Sequence, residues 1–511
     1  MNKTLFSTKK TTKTNKLVDN AAGGKSYELS AEQALAAYAV TCCFNDTFYA
    51  SAESHVDKLK ELLEKVNPTL IAKVAVYSHQ QGNMKDTPAY LLSFLFSKGE
   101  SELVCKIFNR IITNAKMLCN FVQLVRSGAH GRKSFGSVGR RLIQEWLKSR
   151  SAEQLFKDSV GHSNPALVDI ISMTHPKFNE SQDNMVKYLK GYKYDFDALP
   201  ELVQRFERLK KGENLSPEGL DFRLLSNLKL SNEQWSKLAC GMTWNALRMN
   251  LNNLSKHHVF NTNKTPILAK KLSDKQLVQK ANAFPYQLLT TYQNTTDVPD
   301  LIKDSIELAL EHATENVPDL GNIAVAIDVS GSMSASVTGN GVVRSVTTCV
   351  DVAALIASTI LRTSAKALIL PFDTEVQEIK ISKYDSVLKN SKKLAIDGGG
   401  TNCSVAMKYL FESNWDGDVV FYVSDNMSWH DFRPSQKYAK TPMVEYWDLI
   451  KKRNPKAKLI LLDITPNSQS QHYEDGGVLH VSGFSDSVWS VVQNFVNGDG
   501  NFLQTIDKVE I

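Results

Sequence analysis

Asp328, Ser330 and Ser332 stand at alternate positions in the run Asp-Val-Ser-Gly-Ser-Met, placing one carboxylate and two hydroxyls in a single tight loop. These are hard oxygen donors, and a hard cation such as Mg²⁺ takes a near-octahedral shell of oxygens while keeping some of its water. Two further polar runs supply matching oxygens, Gly398-Gly399-Gly400-Thr401-Asn402 and Ser424-Asp425-Asn426. A shell built largely from neutral hydroxyls leaves the ion short of electrons and ready to accept a carboxylate from a partner. Alone, D-x-S-x-S reads equally well as an Asx turn. Three oxygen-bearing runs in this order, two of them directly after apolar stretches, favour a divalent-metal site.

A second group of residues is cationic. The segment from Phe135 to Trp146 carries Arg140 and Arg141 into a helix whose Leu142, Ile143 and Trp146 face a core. Arg132 and Lys133 precede it in a glycine-rich turn, and Lys148 and Arg150 follow. Guanidinium and ammonium groups clustered at a helix end suit phosphate oxygens. The competing reading is a solvated basic face. The first 320 residues carry a net excess of nine positive charges and the rest an excess of three negative, within a net charge of +6. That is the sign expected of a surface meeting phosphates.

The elements that must hold these groups fall into two textures. From about residue 29 to 312 apolar residues recur at helical spacing in short segments, among them 52–66, 88–96, 102–113, 142–149, 197–209 and 300–312. Breaks at Asn67-Pro68, Gly82-Asn83 and Gly99 separate them. This half is expected to be all-α, with stacked helix pairs as in an α-solenoid, although no fixed-period repeat is visible. After about Val317 strands alternate with helices: strands at 322–328, 366–372, 418–423 and 459–463, helices at 349–363, 404–411, 444–452 and 486–496. Continuous apolar strands joined by helices imply a parallel sheet covered on both faces, with ligands beyond the carboxyl ends of its strands.

Length and composition close off other classes. A chain of 511 residues exceeds one domain. At 42% hydrophobic and 22% charged it is globular in composition, and no apolar run reaches the ~18–20 residues of a membrane helix. The first sixteen residues are basic and polar and lack the apolar core of a secretory signal. Seven cysteines, including the adjacent Cys42 and Cys43 and no C-x-x-C, fit the reduced thiols of a cytoplasmic protein. No Gly-Lys-Ser/Thr follows the Gly398–Gly400 run, Ser330 lacks a G-x-S-x-G elbow, and the adjacent His257 and His258 cannot share one metal from a helix face. No catalytic constellation emerges.

The order DVSGSM, GGGTN, VSDN resembles a von Willebrand factor A domain with a metal-ion-dependent adhesion site. That resemblance implies a Mg²⁺ (or another divalent cation) ligated directly by Ser330, Ser332 and Thr401, with Asp328 and Asp425 acting partly through water. The basic helix resembles the W-G-R-x-L-R-K-A-I-x-D-W helix of the Ro autoantigen family, whose RNA-binding part is the TROVE domain. Phe135, Gly136, Arg140, Arg141, Ile143, Glu145 and Trp146 match, while Ser137 and Gly139 replace an arginine and a leucine. The run Asp169-Ile-Ile-Ser-Met-Thr-His175-Pro176-Lys177 is similar to the family's D-L-L-R-L-S-H-x-K, so His175 inherits an RNA contact. Looser matches are Asn20–Gly24, the 46–49 run, Arg248 beside the Met249 that replaces a family arginine, and Lys157 for a lysine at the central opening.

The resemblance implies a multidomain chain in the family's order: a basic, flexible terminus at 1–18, an all-α HEAT-like TROVE ring at 19–316, and a doubly wound α/β, Rossmann-like A domain at 317–511. It implies a monomeric, non-catalytic, cytoplasmic ring with no membrane partner. Structured small non-coding RNAs of the Y class would bind outside, and single-stranded 3′ ends of misfolded or unprocessed RNA would enter the hole, with an exoribonuclease as partner. Arg132, Lys133, Arg140, Arg141, Lys157, His175, Lys177 and Arg248 are the RNA-binding residues on this reading. The alternative is a protein-interaction scaffold whose A-domain metal recruits a partner carboxylate.

Overall fold

A computed structural model describes residues 17–20, 22–41, 52–82, 84–161, 164–225, 228–337, 344–425, 428–429, 440–464, 469–473, 476–482, 488–498 and 502–511. The first sixteen residues, Cys42, Cys43, the 46–49 run, Asn83 and Asn426 lie outside them. Eight strands are present among the described residues: β1 (Leu17–Asp19), β2 (Lys25–Glu28), β3 (Asn322–Asp328), β4 (Lys366–Phe372), β5 (Val419–Ser424), β6 (Lys458–Asp463), β7 (Gln469–Ser470) and β8 (Val478–Ser482). Between β2 and β3 the chain is helical, from Ala31–Thr41 to Asp300–Ala313.

The helices form for local reasons. Ser101–Ile111 buries Val104, Ile107, Phe108 and Ile111, one apolar stripe at helical spacing. The expected breaks are caps: Asn67 accepts the Leu70 N–H with Pro68 in the first turn, and Asn114 accepts the Met117 N–H. Ser151 and Gln154 form a reciprocal capping box, as do Ser231 and Gln234. The repeat that the sequence hides is visible in contacts between helices that are not neighbours along the chain. Lys98 with Glu64, Thr113 with His79, Asn120 with Asp86, the Trp146 indole with the Ile112 carbonyl, and Gln182 with the Lys148 carbonyl all join residues 34 apart. The period lives in which residues meet and not in which types recur.

The main sheet has strand order β4-β3-β5-β6-β8, all parallel, with Val325 opposite Ile369 and Phe421. Strand pleating sorts β3 by size. Ile323, Val325 and Ile327 join a core continuous with that of the helical array, whereas Ala324 and Ala326 face a separate core containing Met407, Met443 and Trp447. Strand β8 and the helix Val387–Leu394 complete elements that the apolar pattern does not announce.

The α/β domain touches both ends of the helical array, closing the chain into a ring. At one end Glu311 of Asp300–Ala313 accepts from Arg362 at 2.8 Å and from the Val387 N–H at 2.6 Å, while Gln293 accepts from the Thr347 hydroxyl at 2.5 Å. At the other end β2 pairs antiparallel with both β1 and β7. The Thr441 N–H donates to the Tyr27 hydroxyl at 3.1 Å, and Phe502 packs edge-on against Tyr77 with ring centroids 5.6 Å apart. Leu17 and Val18 therefore belong to a strand and not to a loose terminus, and residues 17–28 sit in the α/β domain's seam. An apolar-pattern reading misses this because the partner strand lies more than 400 residues away. No helix among the described residues is long and apolar enough to cross a membrane.

Gly24 marks how tight this seam is. A Cβ placed there would lie 1.9 Å from the Ser428 carbonyl oxygen, and Asn20 Nδ2 donates to the same oxygen at 2.8 Å. Gly24→Ala is expected to destabilise the protein by about 1–3 kcal/mol through backbone overpacking. Denaturant titration with limited proteolysis checks this: cleavage within 17–28 should come before global unfolding in the variant and not in the parent.

Candidate functional site

The carboxyl ends of β3, β4 and β5 bring the three oxygen-bearing runs together. Backbone bonds stitch two of the loops: Gly331 N–H to Gly399 O at 3.0 Å and Gly398 N–H to Val329 O at 2.7 Å. A Cβ at Gly398 would sit 2.5 Å from the Val329 oxygen, so this approach requires glycine. Asp373, just beyond β4, organises the loop. Its carboxylate accepts the Gly399 N–H at 2.9 Å and Gln377 Nε2 at 3.0 Å. The sequence reading passes over Asp373, although its place at a strand's carboxyl end was a usable signal.

Asp328, Ser330, Thr401 and Asp425 are all buried, and Ser332 is half-buried. Asp328 Oδ1 accepts the Ser330 N–H at 2.8 Å and Oδ2 accepts the Ser424 hydroxyl at 2.6 Å. Burial, together with the neighbouring Asp425 carboxylate, holds the Asp328 carboxyl above the usual carboxylate range. The Ser330 and Ser332 hydroxyl oxygens are 3.3 Å apart. Two oxygens at right angles about Mg²⁺ at 2.0–2.1 Å would be about 3 Å apart. Hydroxyl spacing and crowded carboxylates both fit a divalent cation. Among the described residues no group of three or more His, Cys, Asp or Glu is placed to hold a metal ion.

The cationic candidates divide. The helix Gly136–Lys148 begins a full turn and a half before the expected 142, so Arg140 and Arg141 lie in its body, both exposed. Gln144, one turn after Arg140, donates to the Thr174 carbonyl at 2.6 Å, which sets this face beside the end of Leu167–Thr174. There His175 adopts left-handed backbone (φ 50°), and His175 and Lys177 are exposed. Arg140 thus lies one helical turn from the side chain that holds the Thr174 and His175 carbonyls, with Lys177 two residues farther along the chain. Arg141 leans the other way, its Nη2 3.7 Å from Cys105 Sγ and its Nε 3.8 Å from Glu145. Lys133 is exposed in the preceding turn.

Arg132 and Arg248 are braces within the chain. Arg132 stacks 4.2 Å over the Phe96 ring and donates to the Phe96 and Ser134 carbonyls. Arg248 donates to the Gln287 carbonyl at 3.0 Å and the Thr291 hydroxyl at 2.7 Å, clamping Trp244–Met249 to Pro285–Asn294. Lys157 stands apart on Ala152–Asp158, paired with Glu153 at 2.6 Å. His257 stacks flat on Trp235 at 3.8 Å, a packing role. Cys105, Cys119, Cys240, Cys349 and Cys403 are free thiols.

Comparison with known proteins agrees with this architecture. The family profile of the Ro60 vWA domain matches residues 322–496. The chain is 25% identical over 254 residues to RNA-binding protein RO60 of Caenorhabditis elegans, covering 45% of this chain and 36% of that protein. It is 23% identical over 527 residues to RNA-binding protein RO60 of Deinococcus radiodurans, covering 94% and 96%. The crystal structure of the Deinococcus radiodurans Ro (RSR) protein superposes with a TM-score of 0.65 at 21% identity, over 92% of this chain and all of that one. The chain has the fold of a bacterial-type Ro protein, a helical array followed by a Ro60-type A domain.

His130 anchors the turn that presents Arg132 and Lys133. Its ring packs edge-on against Tyr90 and Phe94, with centroids 4.7 and 5.3 Å away. Burial, aided by Lys60 and Lys98, pushes its imidazole down to about 4. The neutral ring is the folded form, so its contribution to stability is complete above pH 6.5 and is lost as pH falls through about 4. The melting temperature of the parent should drop more between pH 6.5 and 4 than that of His130→Phe, measured side by side by calorimetry.

Proposed function

We propose that this chain, folded as the Ro proteins are, is a non-catalytic RNA-binding ring. Structured small non-coding RNA of the Y class docks on the outer basic surface. Single-stranded 3′ ends of misfolded or unprocessed RNA enter a central hole, and a partner exoribonuclease carries out any degradation. The observation that carries this reading is the exposure of Arg140, His175 and Lys177 on a helical array closed into a ring. The relatives, one matched over nearly its whole length and one over about a third, are both named RNA-binding proteins and support the same class. A ring admits a single strand where a duplex is excluded, so selection is by shape and free ends more than by sequence.

Within the A domain a divalent cation such as Mg²⁺ is held by the Ser330, Ser332 and Thr401 hydroxyls, with Asp328 and Asp425 next to it. When bound, the ion supplies a Lewis-acidic position for a carboxylate of another protein. This is the second reading, a protein-recruiting scaffold, and the buried Asp328 and Asp425 pair favours it. The two roles use different faces and are separable by mutation.

Arg140→Glu with Arg141→Glu should weaken binding of a hairpin RNA about tenfold or more at low salt, since each lost phosphate contact also lowers the salt slope by about one. Gel-shift titration at several salt concentrations reads both quantities, and parent-like affinity at low salt would refute the RNA face. Isothermal titration with Mg²⁺ should give one site in the parent and none in Asp328→Ala, whose RNA affinity stays unchanged. Retained Mg²⁺ uptake by that variant would overturn the metal assignment.

A further inference from the structure

The α/β domain carries a basic surface that belongs neither to its oxygen-bearing loops nor to the Arg140 face. Residues 380–393 hold five lysines against one aspartate, while the rest of 321–511 has an excess of seven negative charges. Lys380, Lys383, Lys389 and Lys392 are exposed, and Lys393 is half-buried. The helix Val387–Leu394 turns Val387, Leu388, Ser391 and Leu394 inward, which leaves its lysines outside. Asp385 engages two of them, accepting from Lys389 at 2.7 Å and from Lys393 at 2.9 Å. Lys383 has no carboxylate partner among the described residues.

Within this surface Tyr384 is 87% exposed, yet the loop that carries it is fixed. The Ser382 carbonyl accepts from the Asp385 N–H at 3.0 Å and from Asn390 Nδ2 at 2.7 Å. Arg362 Nη2 donates to the Asp385 carbonyl at 2.9 Å, and the Ser386 hydroxyl donates to Glu307 at 3.1 Å. A ring held out by a fixed loop loses little freedom when a partner covers it. The Lys392 ammonium lies 5.3 Å from the centroid of the Tyr292 ring, so the surface spans the junction between the helical array and the α/β domain.

We propose that this surface docks an acidic segment of another protein, with carboxylates on Lys383, Lys389 and Lys392 and an apolar side chain against Tyr384. Charge and size select that partner. Glu375, Glu378 and Asp397 bound the basic stretch along the chain. An RNA hairpin is a long, dense polyanion and would overlap those carboxylates. A short acidic run fits between them, and an exposed tyrosine is a favoured anchor of protein interfaces. The contact needs no metal ion.

The probe is a fluorescein-labelled peptide, Glu-Asp-Glu-Leu-Phe-Glu-Asp-Glu, with Gln-Asn-Gln-Leu-Phe-Gln-Asn-Gln as its neutral counterpart. Fluorescence anisotropy with the full chain in EDTA should show saturable binding of the acidic peptide that weakens as salt rises, and no binding of the neutral one. Lys383→Glu with Lys392→Glu should weaken binding about tenfold, and Tyr384→Ala about fivefold. Lys452→Glu with Lys456→Glu reverses as many charges elsewhere in the domain and should change nothing. All five positions are exposed, so the variants should melt with the parent. Parent-like peptide binding by the Lys383 and Lys392 variant overturns the proposal, as does an equal loss in the Lys452 and Lys456 variant. A fall in hairpin-RNA affinity with peptide binding intact assigns the surface to nucleic acid and overturns it too. Because EDTA is present throughout, failure of the metal reading leaves this test unaffected.

Discussion

Everything in this molecule depends on the contact between its two ends. Strand β2 adds to β7 in antiparallel register, and residues 17–28 share a seam with 428–429, 441 and 469–473. The opposite junction is made by Glu311, which serves Arg362 and the start of Val387–Leu394 together. With both junctions closed, the curvature of the helical array is set by the width of the α/β domain. The continuous apolar core across β3 makes that domain a structural member of the ring and not a passenger on it.

The seam and the oxygen-bearing loops are mechanically adjacent. Asn20 and Gly24 meet the Ser428 carbonyl, the Ser428 hydroxyl accepts the Cys403 N–H, and the Trp429 N–H donates to the Thr401 carbonyl. A displacement of Thr401 is therefore felt within two residues of the strap that closes the ring. Charge is partitioned across the same architecture. Carboxylates crowd the carboxyl ends of the strands, while guanidinium and ammonium groups line the helical face.

What could be read in advance follows from how local the encoding is. The strands 322–328 and 366–372 and the helix 349–363 coincide with the structure because a buried parallel strand is one uninterrupted apolar run. The oxygen-bearing runs at 328–332 and 424–425 were legible because each follows an apolar strand directly. Strands β1, β2 and β7 were not, since Leu-Val-Asp, Lys-Ser-Tyr-Glu and Gln-Ser carry no pattern and gain their meaning only from a distant partner. Residue type showed that Arg132, Arg140 and Arg248 were cationic but not where each side chain ends. Phe96 captures one, Gln287 and Thr291 capture another, both half-buried, and Arg140 alone of these three is fully exposed.

The separation of β2 from β7 also sets an order of events in the cell. Ser26 and Gln469, which touch across the seam, are 443 positions apart. At ribosomal rates of about 5–20 residues per second, roughly 20–90 s pass between the appearance of the first and the second. During that interval the nascent chain carries an unpaired strand edge, a surface prone to wrong pairings. Lys25 and Glu28 at the ends of β2 place a charge at each end of this edge while it waits. The seam therefore closes only after Gln469 has been made, and the amino-terminal strap acts as the latch of the ring.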